Sequence, residues 1–146
     1  MAGLEYFQSP TGKFEDVKVG TSVRFTKTVS ESDVYLYAGI TGDFSPNHID
    51  EEYMKQGKYG TRIAHGALLV GFMSTASTCM RVGRTVSLGY DKVRFLTPVR
   101  FGDTITTEYT ITSIDYEKRR LYNECKCTNQ RGETVAVAVH LRSFVD

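Results

Sequence analysis

The sequence lacks several features that would place a protein directly in a functional class. Its 146 residues include no tryptophan, only three prolines and only three cysteines. No uninterrupted apolar run reaches the roughly 20 residues that a membrane-spanning helix needs, and no basic segment followed by an apolar one, typical of a secretion signal, stands near the start. We therefore expect a cytoplasmic protein with no membrane partner.

Charge of one sign is also missing. The formal net charge is +1 at pH 7, from 18 basic and 17 acidic side chains, and no long basic block interrupts the mixture. Proteins that bind duplex nucleic acid or anionic membrane surfaces usually present a concentrated basic patch. We therefore expect no nucleic-acid partner.

The cysteines are few and odd in number. Cys125 and Cys127 lie in an alternating run, so both thiols would share one face of a strand, and Cys79 stands far away along the chain. A metal site, the alternative, would need a fourth ligand and a second closely spaced pair, and neither is visible. The sequence predicts three reduced thiols and no metal.

Length and hydrophobic periodicity predict one α+β domain over residues 1–146. A chain of this length can bury roughly two thirds of its unfolded surface without disulfide or metal support. A first strand alternates from Val23 to Val29, and Ser30 is the predicted N-cap of a short helix ending near Gly42. A second short helix is predicted at 50–55, and a third, apolar nearly all round and therefore buried, at 67–80.

The period changes to two in the second half of the chain. Strands are predicted at 86–96, 103–115, 119–129 and 133–144. Together with the first strand they make a curved antiparallel sheet of about five strands, whose apolar face needs the long helix as its cover. The predicted architecture is a sheet wrapped around one central helix.

Polar residues concentrate around Pro46. Asp43 and His48 flank it, and on one continuous helix they would lie roughly 140° apart. Proline disfavours the helical region for Ser45 and removes a backbone donor, so the sequence predicts a loop that turns both side chains toward one water. A carboxylate and an imidazole can orient a water molecule, take its proton and return a proton elsewhere.

His65 and Gly66 stand where the central helix is predicted to begin. The first amides of a helix lack intrahelical acceptors and carry the positive end of the helix dipole. An amide at Gly66 could stabilise a developing oxyanion, and a glycine lets a ligand carbonyl approach the backbone closely.

These residues carry a resemblance to the MaoC-like (R)-specific enoyl-CoA hydratases. The motif of that family reads roughly G-D-x-N-P-[LIV]-H-x-[DN], followed after a spacer by H-G. Residues 42–50 read G-D-F-S-P-N-H-I-D, residues 65–66 read H-G, and residues 95–103, F-L-T-P-V-R-F-G-D, are similar to the F-x-x-P-V-x-x-G-D segment of the family. The likeness extends from about Phe14 to Phe144.

The resemblance implies a hot-dog fold, a homodimer or higher homo-oligomer, and reversible syn addition of water to a trans-2-enoyl thioester. The catalytic pair would be Asp43 and His48, and Gly66 would bind the thioester oxygen. Coenzyme A would enter as part of the acyl-CoA substrate, so no separate cofactor is expected. Ser45 and Asn47 depart from the motif, and we expect them to affect the substrate range as substrate-binding residues.

Other polar residues receive less specific interpretations. For His65 a structural role between loop and helix is favoured. His140 is opposite in parity to the apolar residues of its strand, which predicts a surface or interface position without a role. The basic residues that could meet CoA phosphates are scattered, so they stay outside the predicted site; they are Arg81, Arg84, Lys92, Arg94 and Arg100.

Two alternative functions remain open. The first is a hot-dog acyl-CoA thioesterase, because one fold hosts several chemistries. Many such enzymes place a catalytic carboxylate on the central helix, and residues 67–80 contain no Asp or Glu. The second is a non-catalytic acyl-CoA-binding partner, for which an interrupted Asp-His pair would be typical.

Overall fold

The computed structural model describes residues 12–146, so residues 1–11 of the predicted domain lie outside the description. One antiparallel sheet contains five strands in the order β1-β3-β4-β5-β2. The strands are β1 (Ser22–Thr28), β2 (Thr85–Phe95), β3 (Thr104–Asp115), β4 (Arg120–Thr128) and β5 (Thr134–Phe144). The helices are α1 (Glu31–Thr41), α2 (Pro46–Ile49), α3 (Glu51–Lys55) and α4 (Gly66–Cys79).

The helix α4 covers one face of the sheet. Leu69, Phe72, Met73 and Ala76 of this helix are buried in one cluster with inward-facing residues of β3, β4 and β5. This confirms the predicted α+β architecture, a sheet packed around one central helix. In residues 12–146 we find no helix with the length and hydropathy needed to cross a membrane.

Local signals set the limits of α1. Ser30 accepts a hydrogen bond from the amide of Asp33, and the Asp33 carboxylate accepts one from the amide of Ser30. This capping box satisfies two donors at the start of the helix. Gly42 ends the helix in the left-handed region at φ 80°, where a side chain would be strained, and so turns the chain into the segment that carries Asp43.

The segment after Asp43 is only partly the loop that the sequence predicted. Ser45 is extended at φ −54° and ψ 137°, as a residue before proline should be. Pro46 then opens the one-turn helix α2, which contains His48, so the prediction of a loop through His48 was wrong. The reason is that proline breaks a helix before itself and favours one after itself, since it fits the first helical position.

The connection between β2 and β3 is tied by Asp103. Its carboxylate accepts hydrogen bonds from the Arg100 amide, from Gln130 and from Arg131. Burial raises the pKa of this carboxyl, but those donors together lower it below its ordinary value. These hydrogen bonds hold the neighbouring Val99 in place. The carbonyl oxygen of Val99 accepts a hydrogen bond from the Ala64 amide at 2.8 Å, which attaches the segment just before α4 to this connection.

The thiols are as the sequence predicted. All three cysteines are free, and Cys125 and Cys127 are buried on the same face of β4. Burial raises the pKa of Cys125 to about 12, with the neighbouring Cys127 adding to the effect. The Cys125 thiol is therefore protonated and unreactive at neutral pH.

His140 is a correction to the sequence prediction, because it is 1% exposed and faces the interior. The Tyr109 hydroxyl lies 2.7 Å from its Nδ1 and the Ser87 hydroxyl 2.8 Å from its Nε2, so a neutral ring can accept at one nitrogen and donate at the other. The ring of Tyr90 stacks on it with centroids 4.1 Å apart. The alternating pattern of β5 did not identify the buried face, because both faces of this strand are apolar. The inner face, which includes His140, uses the small residues Ala136 and Ala138.

We expect His140 to make the stability of the protein depend on pH. Burial, and secondly the charge of Arg142, lower its pKa from 6.5 to about 4. Since the unfolded state binds the proton more readily, the free energy of unfolding should fall as the pH falls from 6.5 to about 4, by up to about 3 kcal/mol. Denaturant unfolding of wild type and His140→Gln across this range measures the effect. Curves that stay parallel would contradict it, because the other titrating groups are common to both proteins.

Candidate functional site

A cleft of about 240 Å³ opens at the start of α4. His48 and Gly66 both line it, so the cleft brings together two parts of the motif that stand far apart in the sequence. Its other walls are mainly apolar and come from the segment between α3 and α4, from α4, and from the end of β2 with the residues after it: Tyr59, Ile63, Ala64, Leu69, Phe95, Leu96, Thr97, Pro98 and Val99. An apolar cleft with a few convergent polar groups is the usual form of a small-molecule site.

Asp43 lies between the end of α1 and the start of α2. Its side chain is 52% exposed, and its Oδ1 accepts a hydrogen bond from the amide of Ser45 at 3.2 Å. Its own amide donates to the Thr41 hydroxyl at 3.2 Å. These local bonds hold the carboxylate at the turn while one oxygen keeps free acceptor capacity.

His48 is fixed in one tautomer by the backbone. Its Nδ1 lies 2.7 Å from the carbonyl oxygen of Ile63. A carbonyl oxygen only accepts, so Nδ1 carries the hydrogen and the Nε2 of the neutral ring is left as an acceptor. An imidazole in this state can accept a proton from a bound water.

Asp43, His48 and His65 each offer one side-chain atom within 4.8 Å of the others. Two hydrogen bonds of about 2.8 Å each can bridge such a gap through one water. An Asp-His-His set can also bind a metal, but an ion lies near the plane of each imidazole ligand. The rings of His48 and His65 are stacked, with centroids 3.7 Å apart and planes 28° from parallel, which does not direct both at one ion. The geometry fits a water site better than a metal site.

Arg62 braces the segment that leads to α4. Its guanidinium donates to Glu51 at 3.0 Å, to Glu31 at 2.7 Å and to the Tyr35 hydroxyl at 3.0 Å. The backbone amide of Arg62, then the Thr61 hydroxyl and the Arg62 side chain, lower the pKa of Glu51, so that carboxylate stays charged at neutral pH. The brace joins α1 and α3 to the residue that precedes Ile63, the acceptor for His48.

Gly66 is the first residue of α4, so its amide has no acceptor within the helix. The ring of Phe95 packs directly over it, and a Cβ at Gly66 would lie 2.7 Å from that ring. Glycine is therefore required here by close packing, and the Phe95 ring forms one wall of the cleft beside the amide.

The two residues that depart from the motif are not in this cleft. Ser45 contributes its amide to Asp43, and its hydroxyl makes no capping bond to α2. Asn47 is exposed and lines a second cleft of about 320 Å³ with Tyr53 and Lys58. The two clefts share Tyr59 as a lining residue.

Sequence reasoning missed the role of Phe95 and the brace on Arg62. Phe95 belongs to the quoted segment 95–103, but nothing local in the sequence indicates that its ring covers Gly66. The brace joins residues from three separate segments, so only the fold could have shown it. Of the predicted site residues, by contrast, Asp43 does lie near His48, and His48 does share the cleft with Gly66.

The chain is similar to known proteins over most of its length. The chain is 40% identical over 115 residues to an (R)-specific enoyl-CoA hydratase of Rhodospirillum rubrum, covering 79% of this chain and 80% of the relative. It is 34% identical over 115 residues to a 3-hydroxybutyryl-CoA dehydratase of Methylorubrum extorquens, covering 79% and 73% of the two chains.

A solved structure agrees over most of the fold. The R-hydratase PhaJ1 from Pseudomonas aeruginosa superposes with a TM-score of 0.82 at 28% identity, covering 91% of this chain and 85% of its own. Residues 14–135, which include both clefts, match the model of the MaoC like domain. The chain therefore belongs to the MaoC-like family.

Proposed function

We propose that this chain catalyses the reversible syn hydration of trans-2-enoyl-CoA to (R)-3-hydroxyacyl-CoA. The two relatives are named as a hydratase and a dehydratase, which are opposite directions of one reaction type. Enzymes of this type are hydro-lyases, and the chain is one of them. The observation that carries the finer proposal is that His48 and Gly66, the first residue of α4, line one apolar cleft, while a side-chain oxygen of Asp43 lies within 4.8 Å of a ring nitrogen of His48.

Gly66 acts on the thioester. Its amide donates a hydrogen bond to the thioester oxygen, which makes C3 of the enoyl group electrophilic and stabilises the enolate charge that develops when a nucleophile adds there. The positive end of the α4 dipole stabilises the same negative charge. Phe95 and Leu69 give the acyl group an apolar wall.

Asp43 and His48 act on the water. The Asp43 carboxylate orients it, and Nε2 of His48 accepts one proton as the oxygen bonds to C3. The pair then returns a proton to C2, so that one water has been added in total across the double bond. Because the same pair holds the water that supplies the hydroxyl and returns the proton to C2, both groups arrive on the same face.

The reaction needs no redox partner and no separate cofactor, since coenzyme A is part of the substrate and water is the only other reactant. Contacts of Ser45 and Asn47 with the substrate stay predictions, with the second cleft as the place where Asn47 would act. The cytoplasmic location also stays a prediction.

Thioester hydrolysis is the less favoured function. A hydrolase of this fold commonly uses a carboxylate on the central helix, and α4 carries no acidic residue. The Asp-His pair is intact, which also disfavours a purely acyl-CoA-binding role.

We also propose a homodimer. The strand β2 is an edge of the sheet and presents Val86, Leu88 and Phe95 about half exposed, and a long unpaired edge of this kind readily pairs with a second copy. Sedimentation equilibrium at micromolar concentration should give the mass of two chains or a multiple of it. The mass of one chain would contradict the proposal.

Asp43→Asn should remove turnover while keeping the fold. The amide cannot serve as the charged acceptor that orients the water, and we expect kcat to fall by about 100-fold or more. The measurement is the loss of enoyl-thioester absorbance with crotonyl-CoA, with free-thiol release followed in parallel. Asp16→Asn, at an exposed acid far along the chain, is the matched control and should keep full activity. Unchanged turnover in Asp43→Asn would refute the mechanism, and thiol release by wild type would move the assignment to a thioesterase.

Gly66→Ala should lower kcat/KM by at least about 10-fold, because the new methyl group displaces the Phe95 ring into the cleft and crowds the oxyanion position. Gly39→Ala makes the same change in α1, where a Cβ meets nothing within 4 Å, and should leave activity unchanged. Equal kinetics for the two variants would show that close approach at Gly66 is unimportant.

A further inference from the structure

His65 lies against both Asp43 and His48 but is not one of the residues that line the cleft. It is 2% exposed and immediately precedes α4, yet it makes no side-chain capping bond to that helix. Its ring packs against two others, with its centroid 4.6 Å from that of Tyr37 and 3.7 Å from that of His48. A residue that only joined loop to helix would be expected to cap the helix.

The polar contact of His65 is with Asp43. Its Nε2 lies 2.9 Å from the Asp43 carbonyl oxygen and 3.9 Å from the carboxylate Oδ2. Because the carbonyl oxygen only accepts, Nε2 must carry the hydrogen. The bonds described above for Asp43 join residues within two positions, whereas this one comes from 22 positions away and ties the carboxylate segment to the start of α4.

The other ring nitrogen indicates the charge state. Nδ1 of His65 is buried, and among the described residues it has no hydrogen-bond partner. A second hydrogen there would be buried without an acceptor, which is costly. It would also place a positive charge against His48 as that ring takes up a proton during turnover. The surroundings therefore favour a neutral His65 protonated at Nε2.

We propose that His65 is a positioning residue of the hydration reaction. Its Nε2 hydrogen bond sets the place of Asp43, and its neutral ring supports His48, so that carboxylate and imidazole address the same water. This inference rests on the proposed function, because it assigns His65 a role in that reaction. His65 itself touches neither the water nor the acyl group.

Two substitutions separate the hydrogen bond from the packing. His65→Gln can place an amide N–H near the position of Nε2 but loses the ring, whereas His65→Phe keeps a ring and loses the donor. If positioning through the hydrogen bond dominates, His65→Phe should lose roughly 100-fold in kcat for crotonyl-CoA with little change in KM, and His65→Gln should recover most of the loss. The reverse order of the two variants would mean that His65 only fills space, and would overturn the proposal.

A double-mutant cycle tests whether His65 acts through Asp43. In the Asp43→Asn background, His65→Phe should cost little further activity, because the group it positions is already lost. A full second loss of roughly 100-fold would show that His65 acts independently and would overturn the inference. Absence of hydration by wild type would instead refute the proposed function, so the two failures are distinguishable.

A measurement on the wild-type protein avoids variants that fail to fold. Long-range ¹H–¹⁵N correlation spectra of the histidine rings at neutral pH report which nitrogen carries the hydrogen. For His65 we expect the Nε2–H tautomer, with Nδ1 unprotonated. The Nδ1–H tautomer or a doubly protonated ring would contradict the proposal, whatever the activity of the protein.

Discussion

The packing of α4 against one face of the sheet is the constraint on which the site depends. The apolar side of this helix can only be buried against the inward face of the sheet, and that contact determines where the helix begins. Its first residue, Gly66, is consequently pressed under the Phe95 ring, with its amide directed away from any intrahelical acceptor. The residue before it, His65, is buried by the same contact and meets the segment that carries Asp43.

Hydrogen bonds to backbone carbonyl oxygens hold both histidine rings of the site in place. Carbonyl oxygens at Ile63 and Asp43 each engage one nitrogen of a different histidine ring, so both tautomers follow from the path of the chain. The carbonyl of Ile63 is in turn held because the segment before α4 is docked on Val99 and braced through Arg62. A site built on fixed carbonyls needs little rearrangement when a substrate enters, which is the main source of electrostatic stabilisation in enzymes.

The sequence predicted what local patterns encode. The limits of α4 and of the four later strands agree with the observed ones to within one residue, because long runs with a clear period leave little freedom. The residues of the motif were found because their types and spacing are unusual. His140 was placed on the wrong face because both faces of β5 are apolar. The helix α2 was missed because a proline such as Pro46 both ends a helix before it and favours the start of one after it. Contacts between distant segments, such as Phe95 over Gly66 or Arg62 with Glu31, have no local signature and required the fold.

The most direct test of the account is the stereochemical course of the reaction in deuterated water. Crotonyl-CoA is incubated with the enzyme in D2O, and the product is analysed by NMR after comparison with authentic 3-hydroxybutyryl-CoA. We expect an intact thioester with an (R) hydroxyl at C3 and one deuterium at C2 on the same face as the oxygen. Free coenzyme A, addition to opposite faces or a racemic alcohol would contradict it.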